Sequence, residues 1–156
     1  MTKQELIETL DFSRAVFDEL LENVPEAAVV RPGPNGEWSA KDVLAHLTAW
    51  EAEMVRALAQ LRQGLRPEYF TRKTPVDALN EQFYRDSKDR PLERVLADFE
   101  GVREQLLRQV ERFSPAELDA PPKSVKTSQS LRQLILSETL EHEQEHLPDL
   151  KMMNDE

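Results

Sequence analysis

Apolar residues recur every three or four positions along four long stretches of this chain, the spacing of helices that each bury one face. Leu6, Leu10, Phe17, Leu20 and Val24 form the first stripe and predict a helix over about residues 3–23. Thr2 and Glu5 stand as a capping box at its start, and Pro25 closes the region. The second stripe is Val43, Leu47, Trp50, Met54, Leu58 and Leu61. Ser39 caps it, Asp42 follows in the first turn, and Gly64 and Pro67 end it. Pro91 opens the third, whose positions Val95, Phe99, Val102, Leu106, Val110 and Phe113 follow a heptad-like spacing suited to antiparallel packing. The fourth starts near Ser128 or Ser130 and runs to about Met153, with Leu131, Ile135 and Met153 on the face of His142.

The links are irregular. Arg31-Pro-Gly-Pro-Asn-Gly36 is dense in turn formers. Residues 64–90 make a long connection, within which Thr74-Pro75-Val76-Asp77 reads as the start of a short helix over about 75–87. Ser114-Pro115-Ala116-Glu117 predicts a further single turn, and Pro121-Pro122 breaks the chain. No alternating run is long enough to predict a strand. The expected fold is all-α: one domain over residues 1–156, a four-helix bundle with a long connection between its second and third main helices.

Composition narrows the function. Hydrophobic residues make up 39% and charged residues 32% of the 156, a balance suited to helices that show one face to water. No apolar run reaches membrane-spanning length, so no membrane partner is expected. Met1 to Glu5 lacks the pattern of a secretory signal, and with no cysteine in the chain a cytoplasmic protein is the expectation. The formal net charge of -10 and the lack of a Lys/Arg cluster argue against nucleic acid as a partner.

The candidate chemistry lies in the three histidines. His142 and His146 are four apart, about 40° around a helix, so they share a face and have the spacing of two ligands to one ion. His46 lies at the edge of the second apolar stripe, near Trp50 and Glu53. Three unrelated histidines on solvated or satisfied sites is the plain alternative. An unpaired imidazole on an apolar face is costly, which favours ligands. Glu138, Glu141, Glu145 and Asp149 around the pair read either as helix surface or as acceptors that orient the imidazoles. His142-Glu143-Gln144-Glu145-His146 also matches the H-E-x-x-H pattern of zinc peptidases, with Glu143 as general base. Against that reading, no strand is expected to align a peptide, and Pro148 predicts a kink two residues after the second histidine.

The segment from Asn35-Gly36-Glu37-Trp38-Ser39 through His46-Leu47-Thr48-Ala49-Trp50-Glu51 resembles the second-helix signature of DinB-like four-helix bundles, in wording closest to their ClbS/DfsB branch. Leu79-Asn80-Glu81 followed by Pro91-Leu92 resembles the same branch, and Glu141 to His146 resembles the last-helix histidine pair of the wider superfamily. The resemblance implies a metal triad of His46, His142 and His146, most often holding zinc or nickel, and frequently a homodimer. It implies thiol-dependent enzymes acting on small electrophiles, or, in the ClbS-type branch, self-protection by hydrolysing a reactive cyclopropane. That branch commonly keeps only the first terminal histidine, whereas this chain keeps both.

The function expected on these grounds is a metal-dependent enzyme acting on a small electrophilic molecule by hydrolysis or thiol transfer. A non-catalytic small-molecule-binding protection protein of the ClbS/DfsB type is the alternative. Glu53 and Glu143 are the candidate acid–base residues and Trp50 a candidate pocket wall. Both Trp38 and Trp50 also suit plain core roles. Any thiol must be a low-molecular-weight co-substrate, because the chain has none.

Overall fold

The computed structural model describes residues 1–33 and 38–154, with side chains up to residue 151. Four long helical segments pack as an all-helical bundle. Helix α1 spans Lys3–Glu22, α3 Ala40–Arg62 and α6 Leu92–Glu111. The last segment is composite: α8 Leu131–Leu136, a π-helical turn Ser137–Glu141, and α9 His142–Asn154. Short helices fill the links: α2 Glu26–Val30, α4 Glu68–Thr71, α5 Val76–Ser87 and α7 Pro115–Asp119. Among the described residues there is no strand, only an isolated bridge between Pro32 and Ser39. Residues 35–37 of the signature and residues 34–36 of the Arg31–Gly36 link lie outside the described residues.

Helix boundaries follow local chemistry. Thr2 with Glu5, Ser39 with Asp42, Ser114 with Glu117 and Ser130 with Gln133 each form a capping box. At the end of α3, Gly64 takes φ 76°, its N–H donates to Leu61, and the Leu65 N–H donates to Gln60. This is a Schellman ending, and the left-handed residue it needs is the glycine. Pro148 lies inside α9, which continues through it.

The core has two lobes. One gathers Phe17, Val29, Val43, Leu44, Leu47, Val95, Phe99 and Leu150. The other gathers Leu6, Leu10, Met54, Leu58, Leu106, Val110, Phe113, Leu131 and Ile135. Between them lies a layer of buried charge with one residue from each main helical segment. Arg14, Glu51, Arg103 and Glu143 are only 4%, 3%, 2% and 2% exposed. Arg103 meets Glu51 through two nitrogens, Nε to Oε2 at 3.1 Å and Nη2 to Oε1 at 2.6 Å, and also bonds Glu143. Arg14 donates to Glu143 at 2.9 Å and to Glu51 at 3.3 Å, and stacks 3.5 Å over the Phe99 ring. Arg103 Nη1 also satisfies the Leu10 carbonyl at 2.6 Å. Two positive and two negative groups balance, which makes burial of all four tolerable.

The π-helical turn has a geometric effect. A regular helix drifts about 40° for each four-residue step. The wide turn absorbs extra chain, so Ile135, Thr139 and Glu143 all stay buried at four-residue spacing. Extrapolating a straight helix puts His142 on the line of Leu131 and Ile135. In the structure Glu143 takes that inward line and His142 is half-buried beside it. The Met153 side chain falls outside the described ones.

One surface pair carries a pH dependence. Burial, together with a hydrogen bond to Asp18 on α1 and its charge, pushes the Glu100 carboxyl on α6 up to about 7. Between the ordinary carboxylate range and 7, the folded protein holds a proton that the unfolded chain has lost. Stability therefore falls as pH rises through that window. Glu100→Gln removes the repulsion, so its melting temperature should gain on the wild type between pH 5 and pH 8. An equal shift at both pH values would refute the pairing.

Candidate metal centre and pocket

The three histidines come together from two helices. His46 comes from the first half of α3, and His142 and His146 from the first turns of α9, packed against it. Each offers a ring nitrogen, and these nitrogens lie within 4.8 Å of one another. The ring centroids are 4.9, 5.0 and 5.1 Å apart, all three pairs edge-to-face. His46 Nε2 and His142 Nε2 are 3.1 Å apart. Two nitrogens on one tetrahedral zinc at 2.0–2.1 Å would stand about 3.3 Å apart, so the His46–His142 pair has the spacing of two ligands on one small divalent ion, with His146 beside them.

The electrostatics favour the lone-pair form of the rings. Burial lowers His46 to about 3, with the neighbouring His142 and His146 adding to the effect. Burial also lowers His142, again with help from His146, while Glu145, Glu138 and Glu51 oppose it. Neutral imidazole is the form that ligates metal. His46 Nδ1 is buried without a hydrogen-bond partner among the described residues. His146 Nδ1 lies 3.5 Å from Asp149, an ion-pair separation rather than a hydrogen bond.

The triad opens on a pocket of about 550 Å³. Trp38 tilts over His46 at 5.2 Å and stacks on Tyr84 of α5 at 5.9 Å. Trp50 forms another part of the wall. Its indole N–H donates to Asn80 at 2.7 Å, and its ring meets Phe83 and Tyr69 edge-on. Both tryptophans are half-buried and face the pocket, rather than being sealed in the core. Tyr69 of α4 donates to Glu138 on the pocket wall. Burial, and then Glu138, push that phenol well above its ordinary range, so it remains a donor.

Two sequence candidates stand elsewhere. Glu53 does not line this pocket. Arg72, at the end of the α4 crossover, pairs with it at 3.1 Å. Glu53 instead borders a separate cleft among α3, α5 and α6. Glu143 follows His142 in sequence but points into the core, where two guanidiniums hold it. It therefore cannot serve the triad as the base of an H-E-x-x-H peptidase. Arg14, Glu51 and Arg103 escaped the sequence reading. The available signal was a charge interrupting each apolar period: Leu10-Arg14-Phe17, Leu47-Glu51-Met54 and Phe99-Arg103-Leu106.

The DinB superfamily model matches residues 9–149, nearly the whole chain. The chain belongs to the DinB superfamily. Among solved structures it is similar to the colibactin self-resistance protein ClbS in a complex with double-stranded DNA. That likeness has a TM-score of 0.84 and 21% identity over 99% of this chain and 96% of ClbS. It is also similar to an uncharacterised protein from Escherichia coli UTI89, with a TM-score of 0.84 and 18% identity over 99% of this chain and 93% of that one. No curated protein matches the chain.

These likenesses correct one expectation. Net charge and the lack of a basic cluster argue against nucleic acid, yet a protein of this fold was crystallised with duplex DNA. Net charge sums over the whole surface and does not describe one face, so it is no ground for excluding that partner class. Among the described residues, no helix is long and apolar enough to cross a membrane.

Proposed function

We propose that this DinB-superfamily chain is a protection protein of the ClbS type. It takes up a reactive small molecule in the pocket between Trp38 and Trp50, with one divalent ion held by His46, His142 and His146. The observation that carries the reading is the meeting of three imidazole nitrogens within 4.8 Å at a pocket of small-molecule size. An ion bound there supplies a Lewis acid and lowers the pKa of a coordinated water or thiol. The chain's own residues do the rest. The indoles offer flat apolar walls, Asn80 locks the orientation of Trp50, and Glu138, held by Tyr69, presents a carboxylate to the pocket.

A second reading, metal-dependent turnover by hydrolysis or thiol transfer, is favoured by the exposure of the triad to that pocket rather than to packed core. One experiment separates the two. Tag-free protein is analysed for metal, expected at about one ion per chain, the number one three-nitrogen site accommodates. It is then titrated with small electrophiles, with and without low-molecular-weight thiols, while tryptophan fluorescence and product are followed. Saturable quenching without product selects capture. Product that needs the metal selects an enzyme, and a thiol requirement selects transfer over hydrolysis. A duplex DNA arm of the same titration asks whether the ClbS partner class extends to this chain. Protein that holds no metal and quenches with no compound would overturn both readings.

A further inference from the structure

We infer that the buried Arg14–Glu51–Arg103–Glu143 layer positions the three histidines, fixing the rotation of α3 and α9 so that their imidazoles converge. The inference rests on the reading that these histidines hold an ion.

The argument begins with helix geometry. Successive residues turn by about 100° around a helix. Glu143 directly follows His142 and precedes His146 by three, so both histidines lie to one side of it, about 40° apart. Pinning Glu143 therefore sets the direction of both. His46 precedes Glu51 by five residues on α3, so pinning Glu51 sets the direction of the third. The two anchors meet on the same cations. Arg103 donates to Glu51 and to Glu143, and so does Arg14. The two histidine-bearing helices are thus cross-braced by guanidiniums contributed by α1 and α6. Arg103 is itself fixed by the Leu10 carbonyl and by Ser13 at 3.0 Å, and Arg14 by the Phe99 carbonyl.

The second part of the argument is what the histidines lack. A metal-bound imidazole is ordinarily oriented by a hydrogen bond from its other nitrogen. His46 Nδ1 has no such partner among the described residues, and His146 Nδ1 has only a long contact, 3.5 Å, with Asp149. The aim of His46 therefore depends on its backbone, and that backbone is held by the charged layer through Glu51. Glu143 gives the same picture. Its Oε1 takes both arginines while Oε2 is unpartnered among the described residues. A carboxylate buried this deeply, with one oxygen unsatisfied, fits a brace better than a hydrogen-bonding optimum.

The test uses cobalt(II) as the probe on tag-free, full-length protein. The wild type should bind it with the visible absorption of a nitrogen-ligated site. If the wild type binds none, the metal reading fails before the brace is tested. Arg14→Met with Glu143→Leu removes the tie to α9 and leaves the Arg103–Glu51 pair charge-balanced. Cobalt affinity should fall about tenfold or more, the scale of losses from outer partners of a metal site, with an altered spectrum. Wild-type affinity and spectrum in a folded double variant would overturn the inference. Should the double variant not fold, hydrogen exchange of the wild type decides. Amides 142–146 should be equally protected with and without cobalt, because the brace holds that turn in advance. Protection that appears only on metal binding would overturn the inference instead.

Discussion

Arg103→Met is expected to lower the stability of the fold by about 3–5 kcal/mol, the range for breaking a buried ion pair from one side. The substitution leaves Glu51 and Glu143 to share Arg14, so one buried negative charge has no counterpart. It also removes the guanidinium donor to Ser13 Oγ and one of the donors to the Leu10 carbonyl, which keeps the Ser13 hydroxyl. A fold of this size has about 5–15 kcal/mol in all, so the loss is a large fraction of it. Urea unfolding measures it directly, and a loss under about 1 kcal/mol would show that the layer is not a coupled unit. A companion variant sharpens the result. Arg103→Met with Glu51→Leu removes one charge of each sign and leaves the Arg14–Glu143 pair at 2.9 Å. It should recover more than half of the loss, because the cost lies in the stranded charge and not in the missing contacts.

His142→Ala and His146→Ala are expected to weaken metal binding more than about a hundredfold each, beyond what loss of an outer-shell partner costs. Two nitrogens cannot complete a three-ligand site, and no cysteine in the chain can substitute. Both side chains are half-buried at the pocket, so neither change empties the core. Far-ultraviolet dichroism and the melting temperature of the metal-free variants should therefore stay near wild type. Isothermal titration with zinc reads the first effect. Tight binding that survives in both variants would show that the ion sits elsewhere. Cooperative unfolding of the wild type on chelation would make the ion structural, since a bundle with two apolar lobes should stand without it.

The bundle was legible because its signals are local. A Thr, Ser or Asp at a helix start works through neighbours three residues away, and apolar periodicity is read along one helix. Thr2 with Glu5, Ser39 with Asp42 and Gly64 after α3 all act as their residue types require. The convergence of His46 with His142 and His146 was legible from the superfamily resemblance and the four-residue spacing of the terminal pair. What stayed hidden depends on distant parts of the chain. Arg14 looks like a surface charge until Glu51 and Glu143 are seen opposite it. Glu53 looks like a pocket residue until α4 brings Arg72 down on it. The π-helical turn is carried by Ser137-Glu138-Thr139-Leu140-Glu141, which has no Gly or Pro to mark it, and it turns Glu143 rather than His142 toward the interior.

The charged layer also constrains how this sequence can drift. At most core positions one apolar residue can replace another of similar volume at modest cost, so substitutions accumulate singly. At Arg14, Glu51, Arg103 and Glu143 a single exchange strands a charge, while a paired exchange of opposite signs does not. Change at these four sites should therefore come in pairs spread over different helices, separated by 37 to 129 residues in sequence. An aliphatic residue at one of them in a relative points to a lost opposite charge on another helix.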